Sequence, residues 1–285
     1  MNPFVRKKIV FVFIAILLFV SCNKKKSVNE NGNVNPADIA YSPQRDAQIQ
    51  RYNLNIKKVE SKRRTPCDTL SLLEYVLNNY PEGSYIVNFD KTFRYNIPRP
   101  GVIYYGDNYI FAVIAESKKG ERLIEVKNIV GYDQSFINLD SAKLGTAFFY
   151  LTLFKCNNGN FQKVWQTIIP SNGGFNRFSL EKWRYNETPY VKIDFYYAQG
   201  IGHIDYNYFF INGIDSLPQL LMTYKGINFE RTLANINNDK YPDYYQHIFF
   251  DVGYRIISSD SIPFIWDKKR ELYTSLRNRR HTSPY

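Results

Sequence analysis

The chain has 285 residues, 44% of them hydrophobic and 17% aromatic, which is enough apolar side chain for a buried core and excludes a disordered protein. The formal net charge is +11, and removing Arg6, Lys7 and Lys8 of the leader described below leaves 11 − 3 = +8. Part of that charge sits in two runs, Lys24–Lys26 and Arg277–Arg280, which read as solvated tethers or tails; with no recognition motif beside them, a nucleic-acid partner is not expected.

The N-terminus carries Arg6-Lys7-Lys8, then an unbroken apolar run from Ile9 to Val20, then Ser21 and Cys22. A basic start, a short apolar stretch and a small residue before the cut are the parts of a secretory signal. The run has 12 residues, whereas a spanning helix needs roughly 20, so the segment is expected to be cleaved. Its end, Leu18-Phe19-Val20-Ser21-Cys22, resembles the lipobox of bacterial lipoproteins, with Phe19 in place of the usual Leu. That resemblance implies a lipid on Cys22, which becomes the first mature residue, and anchoring that is stable once two or more acyl chains are attached. Asn23, where Asp would mark the inner membrane, makes the resemblance imply the outer membrane.

Residues 22–50 are polar, rich in Asn and Lys, and without apolar periodicity, so they read as a flexible tether, with a single mostly β domain expected over 51–285. Thr65-Pro66-Cys67-Asp68 then has the form of a helix start, with Thr65 as N-cap, Pro66 as first helical residue and Asp68 as the capping-box acid. Leu70, Leu73 and Leu77, with Val76 beside them, keep helical spacing until Asn78-Asn79-Tyr80-Pro81. Of three cysteines, assigning Cys22 to the lipid leaves Cys67 and Cys156, an even pair suited to a disulfide in an oxidising compartment.

From residue 84 the pattern turns to strands. The excess of 24 Tyr and 21 Phe suits pleated, half-buried surfaces. Strands are expected over Tyr85–Phe89, Val102–Tyr105, Tyr109–Ile114, Leu123–Val130, Ala147–Phe154, Phe161–Ile168, Tyr190–Tyr196, Ile204–Ile211, Phe229–Leu233, Tyr244–Phe250 and Tyr254–Ile257. In Tyr190–Tyr196 the residues Val191, Ile193 and Phe195 share one face while Lys192 and Asp194 share the other, as in a half-buried antiparallel strand. The expected fold is mainly β, antiparallel sheets in a propeller-like, sandwich or barrel arrangement, with one short N-terminal helix.

The segment from Asn235 to Tyr244 places oxygen-bearing side chains at Asn235, Asn237, Asp239 and Asp243. It resembles the calcium loop of FG-GAP and VCBS-type repeats, although Asn235 is neutral and Lys240 stands where Gly is usual. The resemblance implies calcium as the candidate cofactor; the residues alone also fit a metal-free Asx turn. Asn186-Glu187-Thr188-Pro189, Asp215-Ser216-Leu217-Pro218 and Asp260-Ser261-Ile262-Pro263 echo its Asp/Asn-x-x-Pro ending, at intervals that suit hairpins better than four-stranded blades.

Catalytic patterns are thin. His203, His247 and His281 have no nucleophile-elbow serine, no Cys/His pair has zinc spacing, and Gly200-Ile201-Gly202 lacks a third glycine. Asp194 and Asp205 can meet across a hairpin in the manner of a glycosidase pair, but acids on neighbouring strands are ordinarily surface residues. The expectation is a non-enzymatic lipoprotein with a binding or assembly role at the cell envelope. Its partners are the membrane, through the anchor, and an envelope protein or glycan. The alternative is a glycan-binding accessory lipoprotein using Trp165, Trp183 and Trp266 as stacking platforms; a hydrolase ranks third.

Overall fold

Helix α1 spans Pro43–Glu60 and helix α2 spans Thr69–Asn79. The computed structural model describes residues 43–61, 64–82, 84–89, 99–117, 147–170, 175–197, 202–253 and 255–284. The leader, Cys22, the tether up to residue 42 and the strand expected over Leu123–Val130 lie outside these residues. The polar stretch expected to run as a tether to residue 50 is already helical from Pro43. Gln, Arg, Lys and Leu are good helix formers and Pro43 suits the first position, but the segment has no apolar stripe, so periodicity does not reveal it. Leu54 is buried, and Lys58 forms an ion pair with Glu74 of α2.

Helix α2 begins three residues later than the sequence pattern suggests. Its N-cap is Asp68, with φ −74° and ψ 168°, whose Oδ1 accepts from Ser71 N at 2.8 Å. Thr65 is not the cap: Thr65–Asp68 closes as a turn, Asp68 N donating to Thr65 O at 3.1 Å. Asp68 therefore satisfies a free amide of the first helical turn, the role of a cap, and its extended backbone excludes it from the helix. Its carboxyl is held down to about 2, since bonds from the Arg64 guanidinium and from Ser71 outweigh the cost of partial burial.

The first sheet is built on β5 (Tyr109–Ser117), β6 (Ala147–Asn157) and β7 (Asn160–Ile169), paired antiparallel in that order. Two short strands share the other edge of β5: β4 (Val102–Tyr105) along Tyr109–Ala112 and β1 (Tyr85–Ile86) along Ile114–Ala115. A two-stranded pair, β2 (Asn88–Phe89) with β3 (Arg99–Pro100), is hydrogen-bonded into neither larger sheet. The second sheet has nine strands, each beside its sequence neighbour: β8 (Phe175–Lys182), β9 (Pro189–Tyr197), β10 (Gly202–Phe209), β11 (Gln219–Lys225), β12 (Phe229–Ala234), β13 (Asp243–Asp251), β14 (Ile256–Asp267), β15 (Leu272–Ser275) and β16 (His281–Thr282). This is one continuous meander, mainly β and antiparallel, with neither propeller blades nor a closed barrel. The Arg277–Arg280 run is not a tail: it turns the chain from β15 to β16, and Arg277 pairs with Asp260.

Three cores hold these parts. Phe111, Val113, Phe149, Leu151, Leu153 and Trp165 of the first sheet pack against Phe175, Val191, Ile193, Tyr206 and Tyr208 of the second. The opposite face of the first sheet, Ile110, Ala112, Ile114, Phe154 and Cys156, is covered by Leu72 and Val76 of α2. β5 is therefore buried on both faces, which is why Tyr-Ile-Phe-Ala-Val-Ile-Ala reads as an unbroken apolar run instead of an alternation. A third core, with Tyr190, Phe209, Leu221, Tyr244, Phe264, Trp266 and Tyr273, lies within the meander. Residues Tyr41–Tyr285 form one compact unit by their contacts. Among the described residues no helix is long and apolar enough to cross a membrane.

Candidate functional site

The Asn235–Asp243 loop joins β12 to β13, with Asn238 in the left-handed region at φ 58°. Asp243 is fully buried. Its Oδ2 accepts from Ile236 N at 2.9 Å and Asn237 N at 3.4 Å, and its Oδ1 accepts from Trp266 N at 3.1 Å. Burial nonetheless pushes its carboxyl above the ordinary range, against those three donors. Asp239 Oδ1 accepts from Tyr241 N at 2.7 Å, and its Oδ2 accepts from Asn237 Nδ2 at 2.8 Å. Asn237 Oδ1 accepts from Asp239 N at 3.1 Å, and Asn235 Oδ1 is buried with no partner. The loop is thus a pair of Asx turns clipped to β14 through Asp243, and its own hydrogen bonds account for its shape. Hard cations want several free oxygens, and both carboxylates here already serve protein donors. Among the described residues no group of three or more His, Cys, Asp or Glu is arranged to hold a metal.

Three of the related motifs occupy the same kind of position. Those at 186–189, 215–218 and 239–242 lead into β9, β11 and β13, alternate strands of the meander, so they lie at one end of the sheet. Asn186 Nδ2 donates to Lys240 O at 3.1 Å, and Lys240 Nζ donates to Asn212 Oδ1 at 2.7 Å, tying these loops together. The fourth motif, Asp260–Pro263, is inside β14 and makes no loop.

On the outer face of β9 and β10, away from the main core, Asp194 stands directly opposite Asp205. Each is 8% exposed, so the two carboxyls share one face of the hairpin with little water around them. Lys192 Nζ lies 2.9 Å from Asp205 Oδ2, and His203 Nε2 lies 3.9 Å from the same oxygen. Glycosidase carboxyls stand about 5 Å or more apart across an opening that admits a sugar or a water, whereas this pair is buried on the sheet. Only the facing of the two acids was legible in the sequence; the Lys192 ammonium and the His203 ring that gather on Asp205 were not anticipated.

The remaining candidates are spoken for. His247 has Ser261 Oγ at 2.8 Å from Nδ1 and Thr232 Oγ1 at 2.8 Å from Nε2, so hydroxyls hold both nitrogens and no carboxylate orients the ring as in a catalytic triad. His281 lies in β16 between Arg270 and Thr274. Trp165, Trp183 and Trp266 are 7%, 4% and 8% exposed, so their rings pack in the cores and offer no stacking platform to a sugar. Arg231 is a feature the sequence did not signal: it is buried between the rings of Tyr244 at 4.2 Å and Tyr224 at 5.1 Å, with Nη1 donating to Met222 O at 3.2 Å. Cys67 and Cys156 are joined by a disulfide with Cα atoms 6.0 Å apart, tying the turn before α2 to the end of β6. Comparisons with protein-family models, curated proteins and solved structures returned no match to this chain.

Proposed function

We propose that this chain is a non-catalytic lipoprotein of the bacterial cell envelope, anchored through Cys22, that offers its β unit to another envelope component. The observation that carries this reading is the basic, apolar, small-residue leader that ends on Leu18-Phe19-Val20-Ser21-Cys22. The Cys67–Cys156 disulfide is in keeping with it, because such bonds persist outside the reducing cytosol. The non-catalytic part rests on the occupancy of the polar groups: His247 held between hydroxyls, Asp243 behind amides, Asp194 against Asp205. The outer membrane is the proposed location, from Asn23.

Fractionating cells that express the wild type or Cys22→Ala tests the anchor. The wild type should sediment with membranes, and the variant should move to the soluble fraction. A Cys22→Ala protein that stays with membranes after a carbonate wash would remove the proposal.

A further inference from the structure

The β9–β10 hairpin places like charges where a sheet tolerates them least. Alternation sends Val191, Ile193, Tyr206 and Tyr208 into the main core, so Lys192, Asp194, His203, Asp205 and Asn207 share the opposite face. Register then sets Asp194 against Asp205, and two ionised carboxylates directly opposite on neighbouring strands repel. Both are more than nine-tenths buried, so little water is available to screen them. Each also has one oxygen, Oδ1, that is buried and accepts no hydrogen bond. An unsatisfied buried oxygen is costly, and here two of them lie together.

The surrounding groups assign the charge. Lys192 of β9 and His203 of β10 both approach Asp205 Oδ2, so the closest positive charge lies against Asp205 and not Asp194. Among the described residues Asp194 has no cation in ion-pair contact, and the pull of His203 and Lys192 on it is outweighed by burial and by Asp205: Arg177, opposite it on β8, is 64% exposed and its guanidinium lies 3.8 Å from Glu181. On β11, Thr223 faces Asp205, but its hydroxyl accepts from Asn207 Nδ2, whose other bonds go to the carbonyls of Asp205 and Leu221. Lys225 of β11 faces His203, and its ammonium lies 3.9 Å from Glu230 of β12. Glu181 of β8 is engaged by Tyr190 and Ser179. None of these groups donates to either orphan oxygen.

We propose that Asp194 and Asp205 hold one proton between them, Asp194 donating to Asp205, and that this proton makes the β9–β10 hairpin a pH-sensitive clasp. With the proton present, the Asp194 hydroxyl satisfies both orphan oxygens and a single negative charge faces Lys192 and His203. Its loss leaves two buried carboxylates face to face, and the hairpin opens more easily. Burial first, and the neighbouring Asp205 second, push the Asp194 carboxyl up to about 6. A raised folded-state value means that the native chain binds the proton more tightly than the unfolded chain. The stabilisation is full below the unfolded value of about 4 and is lost as pH rises through about 6, a span of roughly two pH units or about 100-fold in the folding constant.

Urea unfolding of the chain at pH 4.5 and 7.5, for wild type and Asp194→Asn, tests this. Other groups titrate as well, so the readout is the difference between the two proteins. The wild type should lose about 25-fold more in folding constant over that range than Asp194→Asn, whose amide donates at every pH. Hydrogen exchange of the wild type should speed up with pH in residues 190–195 and 203–209, beyond the intrinsic rise. Should Asp194→Asn not fold, carbon-13 carboxyl titration of the wild type decides instead: one aspartate titrating near pH 6, falling part of the way toward the ordinary range in Asp205→Asn while burial persists, is expected. Equal pH slopes in the two proteins, or no aspartate titrating above pH 5, overturns the proposal.

Discussion

Removing the Cys67–Cys156 disulfide should lower stability by several kcal/mol and uncover one face of the first sheet. The bond closes a loop with a sequence separation of 89. In the chain-entropy relation that loop restricts the unfolded chain by about 4.6 kcal/mol at 25 °C. Cys156 is 1% exposed among Leu72, Val76, Ile110 and Phe154, so truncation to Ala also leaves a small void worth about 1 kcal/mol. Cys67→Ala with Cys156→Ala should therefore cost about 4–6 kcal/mol, a large share of the 5–15 kcal/mol typical of a folded domain. Urea unfolding followed by near-UV circular dichroism reads this as a midpoint lowered by more than 1 M, taking a slope of about 3 kcal/mol/M. The slope itself should rise, because the unfolded chain without its cross-link exposes more surface. Reductant should bring the wild type to about 0.3 M above the midpoint of the variant, the difference being the void, and leave the variant unchanged. Oxidised wild type and variant unfolding within about 1 kcal/mol of each other would refute the reasoning.

Three further outcomes follow from the same geometry. Gly202→Ala should destabilise by at least about 2 kcal/mol, since Gly202 has φ +82° and an added Cβ would sit 1.7 Å from Lys225 O; thermal melts check it, and an unchanged Tm would contradict the placement of β10 against β11. Asp243→Ala should cost about 3 kcal/mol by stripping an acceptor from the amides of Ile236, Asn237 and Trp266, while Asp243→Asn should recover part of the loss. Millimolar calcium, compared with chelator by scanning calorimetry, should leave the Tm where it is, because the loop's carboxylates are engaged by protein donors; a rise abolished by Asp239→Ala would restore the calcium reading.

Strands whose two faces differ, such as Tyr190–Tyr196, were legible from alternation, and β5 from its apolar run. The strands not anticipated, β3, β8, β11, β15 and β16, have partly exposed residues on both faces or are very short, so no two-residue rhythm marks them. The shift of the α2 start from Thr65 to Asp68 has a local cause: both positions carry cap-forming residues, and only the backbone of the turn decides between them. At the candidate site, Asp194 and Asp205 were visible as facing acids because register follows from a short hairpin. The grouping of Lys192 and His203 on one of them, and the commitment of Asp243 to three amides, depend on how side chains tilt across strands, which no spacing records. The tryptophans illustrate the same limit: exposure is decided by which sheet covers which face.

The central claim is that this chain reaches its place of action as a lipoprotein through Cys22. Mass spectrometry of the protein purified in detergent from bacterial membranes tests it most directly. The account predicts an N-terminal peptide that begins at Cys22, carries a diacylglycerol mass, and lacks residues 1–21. A mature chain that retains those residues, or one that begins with an unmodified Cys22, would contradict it.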